Sequence, residues 1–126
     1  MSGRPRRTPD RQASEQRGRR AEAAAALWLR CKGYAILARR YRCAAGEIDL
    51  IVRRANLVAA VEVKARAGLD DAAFSVIARQ RERIARATEH FLAANPRYAE
   101  HDVRFDAVLV TPRRLPRHVP DAWRID

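Results

Sequence analysis

Two segments of this 126-residue chain concentrate the groups that could do chemistry: Gly46-Glu47-Ile48-Asp49-Leu50-Ile51 and Val61-Glu62-Val63-Lys64-Ala65-Arg66. They lie in two apolar runs, Glu47 to Arg54 and Leu57 to Arg66, separated by Ala55-Asn56, and read as an antiparallel hairpin. Strict alternation puts Glu47, Asp49 and Ile51 on one face of the first strand, with Ile48, Leu50 and Val52 on the other. On the second strand Glu62 and Lys64 share a face, opposite Val61 and Val63. A turn centred on Ala55-Asn56 pairs residues whose numbers sum to 111. Asp49 should then face Glu62, and Glu47 should face Lys64. Like charges directly opposed across a strand pair destabilise it, so two facing carboxylates need compensation.

A divalent cation is one compensation. Carboxylate oxygens from adjacent strands, completed by water and a substrate phosphate, suit Mg²⁺ or Mn²⁺. Such an ion polarises a phosphoryl oxygen and lowers the pKa of a coordinated water. Lys64 would then orient that water or stabilise charge building on phosphorus. The other compensation is structural: Glu47 and Lys64 form a cross-strand ion pair, and arginines hold Asp49. Of the 26 cations 24 are Arg and two are Lys, so a lysine at 64 stands out.

The elements that must position these groups follow from periodicity and punctuation. Residues 1–17 are poor in apolar side chains and rich in Arg and Pro, which predicts a disordered basic arm. A domain over 18–126 follows it. An alanine-rich helix is expected from about Arg19 to Lys32, with Ala21, Ala24, Ala25 and Trp28 as its stripe, stopped by Gly33. Tyr34 to Tyr41 reads as a strand and 44–46 as a turn. A second helix is expected from Ser75 to Ala94, its buried face marked by Ile77, Ile84, Ala87, Phe91 and Ala94, and ended by Asn95-Pro96. Val103 to Thr111 is a further strand. Prolines 112, 116 and 120 break the tail, which has room for one short last strand. The order is α-β-β-β-α-β, a compact α/β domain.

The two chemical segments at this spacing resemble the D…E-x-K core of the PD-(D/E)XK nuclease superfamily, and more closely the small bacterial YraN family, whose members are similar to archaeal Holliday-junction resolvases. The similarity covers roughly residues 18–111. It implies an α/β, restriction-endonuclease-like core, a mixed central sheet flanked by two helices. It also implies Asp49 and Glu62 as metal ligands and Lys64 as the catalytic lysine of a Mg²⁺- or Mn²⁺-dependent endonuclease acting on DNA, with branched junctions as the implied substrate. Resolvase-like enzymes commonly form homodimers, though no segment here marks an interface.

The resemblance draws in other residues. Glu22 occupies the place of the first-helix acid that these nucleases add to the catalytic and metal site. Its i+3, i+4 and i+7 neighbours Ala25, Ala26 and Leu29 are apolar, an odd setting for an acid that must be paired or ligating; a helix N-terminal acid favoured by the dipole is the alternative. Gln80 falls on the apolar side of the second helix where the family usually has Lys; it is a candidate catalytic amide or a boundary glutamine. Arg40 stands where the family tends to have Asn. Arg79, Arg83 and Arg86, with His90, form a strip that is either a solvated face or, with Arg66, a nucleic-acid contact. Asp106 is expected to be structural and paired with Arg104.

Composition bounds the rest. The net charge is +11 and the pI about 11.2, which attracts phosphate whatever its origin. Alanine supplies 25 of the hydrophobic residues, while Leu, Ile, Val and Phe number 27, so the core is small. No run approaches the ~18 apolar residues a membrane span needs, and the basic N-terminus lacks the apolar stretch of a signal peptide. Cys31 and Cys43 form neither a zinc motif nor a disulfide framework, which predicts a reducing, cytoplasmic setting. Phosphate-cradling glycine loops are absent from the sequence, and eight aromatics are too few for a base-stacking platform. A nucleic-acid-binding module that keeps the nuclease fold without turnover is the alternative function.

Overall fold

The computed structural model describes residues 9–65 and 78–125. Helix α1 spans Pro9–Cys31 and is followed by β1 (Ala35–Cys43), β2 (Gly46–Arg54) and β3 (Leu57–Ala65). Helix α2 (Ala78–Ala94), a 3-10 turn at Pro96–Tyr98, β4 (Asp102–Val110) and β5 (Arg117–Val119) complete the chain. The five strands form one mixed sheet in sequential order. The β1–β2, β2–β3 and β4–β5 pairs are antiparallel, and β3–β4 is parallel across the α2 connection. This is the expected α/β architecture, a restriction-endonuclease-like core with one helix on each sheet face.

Both faces of the central strands are covered, which is why β2 and β3 carry near-continuous apolar runs. On one face Ala25, Ala26 and Leu29 of α1 pack with Tyr34, Leu50, Val52, Ala59, Val61 and Val108. On the other, Ile84, Ala87 and Phe91 of α2 pack with Ile48, Ile51, Val58, Ala60 and Trp123. Small alanines at the α1 contact let that helix lie close to the sheet.

Helix α1 begins ten residues before the expected Arg19. Proline is tolerated in a first helical turn, and the Gln, Arg, Glu and Ala that follow are good helix formers without an apolar stripe to announce them. Residues 9–17, read from composition as arm, are therefore helical backbone; 1–8 lie outside the described residues. The stripe also turns by about one position. Ala21, Ala25, Ala26 and Leu29 are buried, whereas Ala24 and Trp28 are only half-buried. Four consecutive alanines do not say which of them faces the sheet. The helix ends as expected on Gly33, whose φ of +93° closes a Schellman turn: Gly33 N–H bonds Arg30 O and Tyr34 N–H bonds Leu29 O, both at 3.0 Å.

Helix α2 buries Ile84, Ala87, Thr88 and Phe91. Ala94, assigned to the same face, is exposed because the helix ends there, where the Asn95 side chain bonds Phe91 O at 2.8 Å. The expected helix start at Ser75, and Ile77, lie outside the described residues.

Candidate active site

The β2–β3 register is the one the turn dictates. Leu50↔Val61, Ile51↔Ala60, Val52↔Ala59, Arg53↔Val58 and Arg54↔Leu57 all sum to 111. Ala55 closes the turn with a φ of +52°. The ladder stops at Leu50↔Val61, one step short of the carboxylates. Beyond that pair the Val63 N–H is bonded by Asp49 Oδ2 at 2.8 Å. A side chain thus replaces the ladder bond, and the strands part around the acids they carry.

Strict alternation fails at the same place. Ile48 packs with Ile51 on the α2 side, while Leu50 and Val52 lie on the α1 side. The expected grouping of Ile48 with Leu50 and Val52 is corrected accordingly. Strand β2 turns over at Asp49; its neighbour β1 shifts register between Ile36 and Ala38 and keeps register past Asp49 while passing over Arg40. The β1–β2 ladder runs Arg39↔Leu50 and then Tyr41↔Ile48, and the intervening Arg40 has a φ of +50°.

Asp49 and Glu62 lie close enough to act on each other: the Glu62 charge raises Asp49, and Asp49 hydrogen-bonds Glu62. Burial first, and then the Glu62 carboxylate, push Asp49 up to about 7; the Val63 N–H opposes this. Burial likewise pushes Glu62 upward, against the pull of Lys64. Glu62 Oε1 receives Lys64 Nζ at 3.4 Å and Gln80 Nε2 at 3.2 Å. Glu62 and Lys64 share a face, as alternation requires, and Gln80 reaches them from α2. Asp49, Glu62, Lys64 and Gln80 therefore converge on one spot.

Glu22 stands close enough for its charge to raise Asp49, but its own bond is to Arg40, Oε2 to Nε at 2.7 Å. Glu47 does not reach Lys64: it pairs with the exposed Arg42 at 3.4 Å, because Lys64 is turned to Glu62. Arg79, Arg83 and Arg86 are exposed on α2, the helix from which Gln80 reaches Glu62. Arg66 lies outside the described residues. Gly46 has a packing role here, since a Cβ at that position would sit 3.2 Å from Arg83 Cβ where α2 crosses the start of β2. Arg40 is the site residue sequence reasoning did not assign. Its one signal was a bulky cation at a position the resembling family tends to fill with Asn, a residue that tolerates positive φ.

Among the described residues no three His, Cys, Asp or Glu side chains form a ready-made metal cluster. The donor set nonetheless fits Mg²⁺ or Mn²⁺. Two half-buried, mutually repelling carboxylates are hard oxygen ligands, and Mg²⁺ characteristically binds one or two carboxylates and takes the rest of its shell from water and phosphate.

Away from this site, Asp106 is fully buried and structural, as expected. It accepts Arg104 Nε and Nη2 at 2.7 and 2.8 Å, His118 Nε2 at 2.8 Å and the Asp121 N–H at 3.0 Å. No described helix is long and apolar enough to cross a membrane.

Architecture and site together define a mixed-sheet α/β domain of restriction-endonuclease-like form with a D…E-x-K triplet where its central strands part. The chain belongs to the uncharacterised protein family UPF0102 (YraN), which matches residues 21–110. It is similar to a UPF0102 protein of Paramagnetospirillum magneticum, 58% identical over 119 residues that cover 91% of this chain and 92% of the relative. A UPF0102 protein of Bradyrhizobium diazoefficiens is 56% identical over 116 residues, 92% of this chain and 87% of its own. One of Parvibaculum lavamentivorans is 53% identical over 112 residues, covering 89% and 84%.

Proposed function

We propose that this protein is a divalent-metal-dependent endonuclease that hydrolyses DNA phosphodiester bonds, with branched, Holliday-junction-like DNA as substrate. The observation that carries the reading is the Asp49–Glu62 pair: two half-buried carboxylates held face to face beside a lysine, an arrangement unfavourable for folding alone. A divalent cation would be held by Asp49 and Glu62 and would supply Lewis acidity toward a phosphoryl oxygen and toward water. The protein's part is positional. The Val63 N–H fixes Asp49 Oδ2, and the Asp49 carboxyl hydrogen-bonds Glu62. Gln80 and Lys64 fix Glu62 Oε1. Lys64 presents its ammonium to the phosphate, where negative charge grows as the P–O bond to water forms and the P–O bond to the sugar breaks. The products are a phosphomonoester and an alcohol. A surface field of +11 draws the polyanion in. We place the reaction in the cytoplasm, where the free thiols of Cys31 and Cys43 are stable, and assign two copies of the chain to each junction, one per strand cut.

A nicking assay on a panel of linear, flap and four-way DNAs with Mn²⁺ tests this. Cutting that needs metal, Asp49 and Lys64 supports the reading; metal-independent binding without nicking refutes it. That second outcome is the prediction of a binding-only module, which one observation favours: Glu22, the third acid, is bonded to Arg40 instead of joining the pair.

A further inference from the structure

We propose that Arg40 is a tethered cation that gates this site: it holds Glu22 away from the Asp49–Glu62 pair, and a divalent cation is admitted with three protein carboxylates only when that bond opens. The inference rests on the metal-binding reading above and deepens it.

Arg40 sits in the middle of an edge strand with a φ of +50°, a conformation bulky residues seldom adopt without compensation. The strain falls opposite Asp49, at the step the β1–β2 ladder passes over. There the side chain reaches Glu22 on α1 and bonds it through Nε at 2.7 Å. The charges of Glu22, Glu47 and Asp49 all act on the guanidinium, so it stands in the field a metal ion would feel. The Glu22–Arg40 bond is also accessible: the two side chains are 21% and 35% exposed. By contrast Arg104 grips the fully buried Asp106 with two nitrogens. One pair is built to stay closed, and the other can exchange its cation for a different one. Glu22 is the residue released. It is half-buried beside the buried Ala21, Ala25, Ala26 and Leu29 on the sheet-facing side of α1, and its long, unbranched side chain has other staggered rotamers to move to once Arg40 lets go.

The test is calorimetric titration of Mn²⁺ alone into the full chain and into Arg40→Asn, Glu22→Gln and the double variant, with thermal melts to establish folding. Asn tolerates the positive φ, and Arg40→Gly serves the same comparison if Arg40→Asn does not fold. Arg40→Asn is expected to bind Mn²⁺ about five- to ten-fold tighter than wild type, the size expected from removing one nearby, partly solvated positive charge and freeing one carboxylate. The double variant is expected to return to within about two-fold of wild type, since the gain runs through Glu22. Equal or weaker binding by Arg40→Asn overturns the proposal, as does a gain that survives in the double variant. Wild-type binding that Arg40→Asn leaves unchanged refutes the gate alone. Silence from every variant refutes the gate and the metal-dependent nuclease together.

Discussion

Asp49 does three things with one carboxylate. It ends the β2–β3 ladder by taking the Val63 N–H, marks the point where β2 turns over, and confronts Glu62. The last of these works against folding, because a half-buried carboxyl held up to about 7 resists the charge it would carry freely when unfolded. Asp49→Asn keeps an acceptor for Val63 and removes the repulsion. It should therefore raise stability at neutral pH by about 1–2 kcal/mol, a melting temperature a few degrees higher, while abolishing Mn²⁺ binding. A lower melting temperature would mean the carboxylate is a structural asset. Lys64 differs in kind. Lys64→Ala should cut DNA at least ~100-fold more slowly, the scale of losing one transition-state charge contact, and still bind Mn²⁺. Nicking at the wild-type rate would remove Lys64 from the mechanism.

At the scale of elements, β5 is held to β4 by three short antiparallel pairs and by Asp106 beneath them. Burial alone would raise the Asp106 carboxyl; the bonds from His118, Arg104 and the Asp121 N–H outweigh it and hold the group at about 2. A depressed carboxyl stabilises the fold above its ordinary value of 3.8 and loses that contribution as pH falls toward 2. Denaturant melts should thus show wild type losing about 2 kcal/mol between pH 4 and 2 that Asp106→Asn, already weaker at pH 7, does not lose. Parallel pH profiles would contradict this. Helix α1 is held by fewer large side chains, so Leu29→Ala should destabilise by about 2–4 kcal/mol in the same measurement. What could be read in advance follows from the same distinctions. The 111 register was legible because a two-residue turn fixes every pair that follows it, and Gly33 and Asn95 announce helix ends through local chemistry. The turnover at Asp49 was not, because it depends on a carboxylate replacing a backbone partner and on a positive φ at Arg40 across the strand. Nor was the α1 stripe, since four alanines in a row carry no direction. Extending the 111 register sets Asp49 across from Glu62, and alternation along β3 puts Lys64 on the Glu62 face; the face Asp49 takes depends on the turnover, which neither rule announces. Gln80 needed the placement of α2, and Arg40 needed the backbone itself.

For the molecule as a whole, the +11 charge and the carboxylate pair make separable statements. The charge predicts DNA binding dominated by phosphate contacts, with affinity falling about ten-fold or more between roughly 50 and 200 mM salt; a flat salt response would argue against a polyanion partner. That result would not distinguish an enzyme from a binding module, because both keep the field. The carboxylates do distinguish them. The most direct measurement is therefore titration of Mn²⁺, up to millimolar, into nucleic-acid-free protein, with Asp49→Asn alongside. Saturable binding to wild type that is lost in Asp49→Asn is the predicted result. Binding absent from both, or identical in both, would contradict a metal site between Asp49 and Glu62.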